Sequence, residues 1–249
     1  MSDTAPAPFA GLLNLHRSLL LEPGPQETCA AWRAYCREHP GPRWIPAYDF
    51  AAYRETPDTA LDLAGAEHFH EIEETRLDAA ILRVVDTEGP VHRRLLTHRL
   101  LRAAGFQRAG SRIQARIDER RSALAAAGEL ELRDDFTGRR EQFVVPRLRD
   151  WSPLPDSLRQ LDHVHETERM LCVLHALVEA GHLDEDAAMN DGLYRIGFIR
   201  LTEQARQRLE RPLRALEGLG IVERRNGRLA PTARAFPRPP GPSPQQTED

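Results

Sequence analysis

The chain has 249 residues, of which 41% are hydrophobic and 29% are charged, a balance typical of a soluble globular protein of one or two domains. All 34 basic residues are arginine. The lack of lysine excludes a phosphate-binding loop ending in Gly-Lys-Ser/Thr, a Schiff-base enzyme and a lysine general base. No apolar run approaches 18 residues, so the sequence predicts no membrane-spanning helix.

Three scattered cysteines, Cys29, Cys36 and Cys172, are too few for a disulfide framework. The N-terminus lacks the basic and apolar regions of a secretory signal. Together these observations predict a cytoplasmic protein. Cys29 and Cys36 would share a helix face, where two small apolar side chains are the main interpretation and a redox pair or metal site the alternative.

The formal net charge is −4, but the arginines are concentrated in two basic islands. Residues 92–149 contain 14 arginines against 7 acids, and residues 195–238 contain 11 against 4. The first 91 residues are acidic, with 7 arginines against 15 acids. Basic islands are typical of nucleic-acid-binding proteins, and solvated arginine-rich helices are the alternative.

An internal repeat relates two segments by an offset of 92 residues without a gap. Over the 58 positions from 74 to 131 there are 13 identities. Gly105-Phe106-x-Arg108 falls on Gly197-Phe198-x-Arg200, and the glycines and apolar positions match elsewhere. A repeat of this kind indicates two copies of one structural unit.

The first copy has three helical patterns followed by a hairpin pattern. An apolar stripe from Leu77 to Val85 predicts the first helix, and residues 91–104 the second. Ser111 is the predicted N-cap of the third helix, which ends at Gly128. Strands are predicted at 129–132 and 143–145, with a turn over 134–138.

The second copy repeats this order. Helices are predicted over 170–178 and 186–196, and Thr202 is the predicted cap of a third. Asn226-Gly227 is a strong two-residue hairpin signal. Three helices followed by a β-hairpin form a winged helix, so the predicted fold is mainly α with small β-hairpins (α+β), with tandem winged-helix repeats after a short helical N-terminal region.

The predicted boundaries follow from these patterns. We expect a helical region over 1–62, winged-helix repeats over 63–146 and 163–235, a linker over 147–162, and a disordered proline-rich tail over 236–249.

The strings Glu88-Gly-Pro-Val-His92, Arg99-Leu100 and Gly105-Phe-x-Arg-x-Gly-x-Arg-Ile113 resemble a domain of unknown function. That domain lies at the C-terminal end of large bacterial superfamily-one helicases with a nuclease-like module, often associated with anti-phage defence or genome maintenance. The resemblance covers residues 74–145 well and 163–232 weakly. It implies a DNA-associated winged-helix module and carries over no catalytic activity, since no helicase motif occurs in this chain.

The third helix of each copy is the candidate DNA-contacting element. In the first copy, Asp118 and Glu119 point outward and argue against base reading, so phosphate contacts are expected near the helix start. In the second copy glutamine and arginine point outward, which favours base reading, although Pro212 argues against a straight helix. Arginines near the predicted hairpins would contact backbone or a narrow minor groove, with solubility charges as the alternative. The candidate DNA-binding residues are Arg108, Ser111, Arg112, Gln114, Arg116, Arg139, Arg140, Gln204, Gln207, Arg208, Arg211, Arg214, Arg224, Arg225 and Arg228.

Two histidine pairs recur, His68-x-His70-Glu71 and His163-x-His165-Glu166. Their spacing is compatible with metal ligands, but alternate residues of an extended segment also project together without a metal. We therefore predict no metal and no cofactor. His92 is expected to cap a helix or to pack near Gly89-Pro90, and Glu73, Glu74 and Glu168 are interpreted as first-turn helix acids.

These patterns favour a non-enzymatic protein that binds double-stranded DNA, acting as a regulator or as a DNA-engaging component of a bacterial defence or repair system. The alternative is a protein-interaction module that docks a helicase or nuclease partner, with the acidic first 91 residues as its docking surface. A third hypothesis is a homodimer formed through the leucine-rich segment 9–21. An electrostatic map of the folded protein separates the first two hypotheses. Both basic islands should converge on one face if the protein binds DNA, whereas islands that face apart or are covered by the acidic segment would favour protein interaction.

Overall fold

The computed structural model describes residues 50–143, 147–232 and 235. Within these residues the chain is mixed α and β, which confirms the predicted α+β class. It divides into two compact units. The first unit comprises Phe50–Glu168 and Ile196–Phe198, and the second comprises Arg169–Arg195 and the residues from 199 onward. The predictions for residues 1–49, including Cys29, Cys36 and the segment 9–21, and for the tail 236–249 lie outside the described residues.

The first copy of the repeat contains three helices and a small sheet. The helices are α1 (Glu74–Glu88), α2 (Arg93–Ala103) and α3 (Ser111–Ala126). The strands are β1 (Phe50–Ala52), β2 (Val91–His92), β3 (Glu131–Arg133), β4 (Phe136–Gly138) and β5 (Leu148–Asp150). Short 3-10 helices cover Asp58–Ala60, Phe69–Glu71, Arg140–Phe143 and Leu161–His163.

Two sheets organise these strands. The antiparallel sheet has the order β2-β4-β3, and Thr137 of β4 is paired with both Val91 and Leu132. Strands β1 and β5 form a parallel pair in which Phe50 is opposite Leu148. Strand β5 lies within residues 147–162, the segment predicted as a linker. The apolar stripe predicted for α1 is buried at all its positions, which are Leu77, Ala80, Ile81, Val84 and Val85.

The second copy contains α4 (Glu166–Ala180), α5 (Glu185–Arg195) and α6 (Glu203–Gly218). A hairpin of β6 (Val222–Arg225) and β7 (Arg228–Pro231) follows. Asn226 and Gly227 join its strands with φ angles of 51° and 79°, as a type I′ turn requires. Leu183 forms an isolated antiparallel bridge to β7: its N–H donates to the Leu229 carbonyl at 3.0 Å, and its carbonyl accepts from the Leu229 N–H at 2.7 Å. The hairpin predicted from Asn-Gly is confirmed.

The 92-residue offset relates the elements as well as the residues. Adding 92 to the bounds of α1, α2 and α3 gives the bounds of α4, α5 and α6. The same shift converts the pair Val91–Thr137 into Leu183–Leu229. Gly105 and Gly197 both have positive φ angles, 81° and 89°, just after the second helix of each copy. The sequence register and the helix register therefore agree.

Several local predictions were wrong. Ser111 is the first residue of α3 rather than its N-cap, which is Gly110 and makes no side-chain cap. Helix α2 begins at Arg93 because the two preceding residues pair with β4.

The first hairpin is shorter than predicted. Asp134 and Asp135 alone form its turn, with Arg133 opposite Phe136, so the returning strand is Phe136–Gly138 instead of 143–145. Phe143 lies in a 3-10 helix, and residues 144–145 are outside the described part of the chain.

Candidate nucleic-acid interface

Helix α6 presents a continuous polar face to solvent. Its buried side consists of Leu209, Pro212, Leu213 and Leu216, so the opposite side is exposed by the 100° step of the helix. Five exposed residues on that side were predicted to bind DNA: Gln204, Gln207, Arg208, Arg211 and Arg214. Pro212 lies within the helix, which remains α-helical from Glu203 to Gly218.

The acids of α6 are confined to one flank of this face. Glu203, Glu210 and Glu217 are seven residues apart and therefore form a single row along the helix. Arg208 and Gln204 lie toward the opposite flank on a 100° wheel. The polar face thus has a cationic flank and an acidic flank.

The start of α6 is fixed against α5. Thr202 caps the helix, because its hydroxyl oxygen accepts from the backbone N–H of Ala205 at 3.2 Å, as predicted. The backbone N–H of Leu201 donates to Asn190 Oδ1 at 3.1 Å, and Arg206 Nη2 lies 2.7 Å from Asp186 Oδ2. These contacts hold the first turn of α6 in one orientation.

Several predicted DNA-binding residues of the second copy already contact acids. Arg214 Nη2 lies 2.8 Å from Glu210 Oε2, and Arg224 Nη2 lies 2.7 Å from Glu185 Oε2. Arg225 pairs with Glu223 at 2.6 Å, and Gln207 is 3.5 Å from Glu203. Because the arginines of these pairs are exposed, each contributes about 0–1 kcal/mol and leaves the guanidinium able to exchange partners.

Other predicted residues are exposed, and their side chains have no hydrogen bond or ion pair within the described part of the chain. In the second copy these are Gln204 and Arg228, the latter at the hairpin turn. In the first copy they are Arg108, Ser111, Arg112 and Arg140. Arg108, Ser111 and Arg112 lie at or just before the start of α3, as the phosphate-contact prediction requires.

The side chains of two predicted residues of α3 form hydrogen bonds within the first unit. Gln114 accepts from the Thr97 hydroxyl at 3.3 Å and donates to Asp118 at 3.1 Å. Arg116 donates to the backbone carbonyl of Ile72. Their partial burial follows from their position beside Ile117 on the inner side of α3.

The predicted wing arginines of the first copy do not lie at the hairpin tip. The tip consists of Asp134 and Asp135, and Asp135 lies 3.5 Å from Arg93. Arg139 follows β4 and forms ion pairs with Asp86 at 2.8 Å and Glu129 at 3.0 Å. The prediction of a basic wing in the first copy is therefore wrong, because the short turn shifts the arginines past the returning strand.

Much of the first basic island is neutralised by acids that precede it in sequence. Arg102 pairs with Glu55 and Asp58, at 2.9 and 2.8 Å, and Arg120 pairs with Asp78 at 2.6 Å. The charge separation along the sequence is thus largely cancelled in space within the first unit.

A buried carboxylate, Glu88, lies at the centre of the first unit. It accepts from the Tyr53 hydroxyl at 2.7 Å, from the backbone N–H of Thr56 at 2.8 Å, and from Arg99 Nε at 3.1 Å through both oxygens. Burial, followed by the neighbouring Glu88 charge, raises the pKa of Tyr53 far above its usual range. Sequence reasoning missed this cluster, although Arg99 occupies a position on the apolar stripe of α2 between buried leucines.

A second buried pair involves Glu168 and Arg149. Arg149 Nη2 lies 2.7 Å from Glu168 Oε2, and the Trp151 indole N–H donates to Glu168 Oε1 at 3.1 Å. The Arg149 guanidinium also lies 4.8 Å from the ring centre of Trp151 and donates to the Glu88 carbonyl. Glu168 is in the first turn of α4, as predicted, but its main contact is this buried ion pair.

Two histidine rings, His92 and His163, contact each other in the first unit at an angle of 38°. His92 caps α2, with Nδ1 accepting from the Arg94 backbone N–H at 3.2 Å, which confirms its predicted capping role. Its ring centre lies 4.6 Å from that of His163, whose Nδ1 donates to the Leu158 carbonyl. Burial and the neighbouring His163 lower the pKa of His92 to about 4. In the described residues, no group of three or more histidine, cysteine, aspartate or glutamate side chains could hold a metal ion.

Comparison with known proteins gives one partial match. A family model described as "Protein of unknown function (DUF3320)" matches residues 67–115, which span α1, α2 and the first turn of α3. No curated protein and no solved structure matches the chain. None of the described helices is both long and apolar enough to cross a membrane. The motif strings Glu88-Gly-Pro-Val-His92 and Gly105-Phe-x-Arg108 both fall inside the matched segment.

Proposed function

We propose that the protein binds double-stranded DNA without catalysing a reaction on it, and that α6 is its groove-reading helix. The exposed face of α6, with its two glutamines and three arginines, is the observation that carries this proposal. Glutamine suits the hydrogen-bonding edge of adenine, and arginine that of guanine. An α-helix with this face fits the major groove.

The winged-helix interpretation of both copies is part of the same proposal. Each copy has three helices and then a hairpin, with a short strand between the first two helices pairing to the returning strand. In winged helices the third helix is the groove element, and this is the position of α6 in the second copy. The hairpin turn there carries Arg228 without a partner in the described residues, which suits backbone or minor-groove contact.

The first copy has a different role in this proposal. The residues of α3 that correspond to Gln207, Arg211 and Arg214 are Ala115, Glu119 and Ser122. None of them can donate the paired hydrogen bonds that guanine requires. We assign to this copy phosphate contacts through Arg108 and Arg112, which orient the protein on DNA without reading its sequence.

Mobility-shift titration of a duplex at about 50 mM salt tests the proposal, since phosphate contacts are strongest at low salt. We expect wild-type binding, and about a tenfold or larger loss on a preferred site for each of Arg211→Ala and Arg214→Ala. Arg54→Ala is the matched control, because Arg54 is exposed and has no partner among the described residues but lies far from α6 in sequence. Absence of wild-type binding, or equal losses in all three variants, would contradict the assignment.

A second candidate function is the docking of a protein partner by the first unit. It is favoured by the neutralisation of the first basic island, since Arg102, Arg120 and Arg139 are held by acids of the preceding segment. The sequence resemblance supports a helicase or nuclease as that partner, and a bacterial defence or repair system as the setting. This function would be favoured if the protein fails to bind DNA by itself and a helicase or nuclease co-purifies with it.

A further inference from the structure

Two large apolar side chains project into solvent in the second unit. Tyr194 is 73% exposed and Ile199 is 81% exposed, the highest values among large hydrophobic residues of the described chain. Single exposed apolar residues are ordinary, but two near one functional helix call for a ligand-based explanation. Both residues belong to the second unit: Tyr194 lies in the last turn of α5, and Ile199 lies in the connection from α5 to α6.

A hydrogen bond places the segment just after Ile199 against the face of α5 that carries Tyr194. Asn190 and Tyr194 are one helical turn apart, and both are exposed, so they share a face of α5. The Asn190 side chain accepts from the backbone N–H of Leu201 at 3.1 Å. The segment that carries Ile199 therefore runs beside the face that carries Tyr194.

A cation accompanies this apolar pair. Arg200 follows Ile199, is exposed, and has no hydrogen bond or ion pair within the described residues. The first turn of α6, with Gln204, comes directly after it. An aromatic and apolar surface next to an arginine can bind an unpaired nucleotide, because the base stacks on the aromatic ring and the arginine neutralises the phosphate.

The apolar pair is specific to the second copy. The corresponding positions of the first copy are Arg102 and Gln107, which are polar. Arg102 is also held by Glu55 and Asp58. The pair is thus not required by the repeated fold, and it occurs in the copy with the base-reading face.

We propose that Tyr194, Ile199 and Arg200 hold an unpaired nucleotide next to the duplex bound by α6. The protein would then recognise a junction between single- and double-stranded DNA in preference to a continuous duplex. Tyr194 supplies the stacking surface, Ile199 covers apolar base surface, and Arg200 contacts the phosphate. This inference rests on the proposed function of α6.

The test compares a blunt duplex with the same duplex carrying a short single-stranded overhang, by fluorescence anisotropy. We expect wild-type protein to bind the overhang substrate about 10-fold more tightly, within the range of one stacked base. Tyr194→Ser should remove this preference and leave affinity for the blunt duplex unchanged. A 2-aminopurine in the overhang should be quenched by wild-type protein and not by Tyr194→Ser.

Two further variants make the result specific. Tyr194→Phe should retain the preference, because the ring rather than the hydroxyl stacks. Leu132→Ser, which replaces an exposed apolar residue of the first unit, should behave as wild type.

Equal wild-type affinity for the two substrates, or a preference that survives in Tyr194→Ser, would overturn the inference while leaving duplex binding by α6 intact. Failure to bind either substrate would overturn both proposals.

Discussion

The guanidinium of Arg99 lies against the carboxylate of Glu88, with Nε 3.1 Å from both oxygens and neither side chain exposed to solvent. The pair joins α1 to α2, and the Tyr53 hydroxyl completes it. A charge of this kind is tolerated in a protein interior only when its hydrogen bonds are made.

We therefore predict that Glu88→Ala lowers the free energy of unfolding by about 3–5 kcal/mol. The substitution removes the buried acceptor of the Tyr53 hydroxyl and the Thr56 N–H, and it leaves the Arg99 guanidinium only the partly exposed Glu55 carboxylate, 3.1 Å from Nη2. Urea denaturation monitored by circular dichroism measures the change. Glu210→Ala removes the partner of the exposed Arg214 and should lower stability by less than about 1 kcal/mol. Similar losses in both variants would contradict the prediction.

The His92–His163 pair predicts acid sensitivity. The pKa of His92 is about 4 in the folded protein, whereas the unfolded chain has a value near 6.5. Between these values the unfolded state binds more protons, so stability is lost as the pH falls from about 6.5 toward 4. We expect a decline of about 2 kcal/mol over this window from His92, measured as urea midpoints at several pH values.

The variant His92→Asn separates this effect from general acid denaturation. Asparagine can still cap α2, because its side-chain oxygen accepts from the backbone as the imidazole does. The variant should show a smaller slope of stability against pH than wild type. Parallel slopes would show that His92 is not responsible.

Gly105 and Gly197 should respond differently to the same substitution. Both have positive φ angles, so alanine is strained at each by about 1–2 kcal/mol. At Gly105 a Cβ would meet nothing within 4 Å, but at Gly197 it would lie 2.5 Å from the Ser152 backbone nitrogen. Gly197→Ala should therefore be the more destabilising of the two by thermal unfolding, and the reverse order would contradict the geometry.

Salt titrations should distinguish free arginines from paired ones. Arg228→Ala should reduce the slope of the logarithm of DNA affinity against the logarithm of salt concentration by about 1, because it removes an unpaired cation at the hairpin turn. Arg139→Ala should leave the slope unchanged, because Asp86 and Glu129 already hold that guanidinium. A reduced slope in Arg139→Ala would show that its ion pairs open on DNA.

Periodicity and turn chemistry predicted most elements of the described chain. The apolar stripe of α1, the Thr202 cap and the Asn226-Gly227 turn are local signals, and each was confirmed. The first hairpin was misjudged because Asp134 adopts a positive φ of 49°, which a sequence of two aspartates does not specify strongly.

Ion pairing was the main property that the sequence did not reveal. Counting charges along the chain identified a basic island, but Arg102 and Asp58 are 44 residues apart and meet only through the tertiary fold. Likewise Glu168 has the position of an ordinary first-turn acid, and its burial depends on Arg149 and Trp151. The exposed face of α6 was predictable because a single helix determines it.

The third helices of the two copies have equal lengths, so each position of α3 corresponds to one position of α6. Position 115 of α3 corresponds to 207 of α6, position 119 to 211 and position 122 to 214, and no insertion or deletion separates the helices. Transplanting Gln, Arg and Arg into these three exposed sites would give α3 the chemistry of α6 without altering its buried side. Three substitutions would thus give the first copy the same exposed glutamine and arginine side chains that α6 carries in the second.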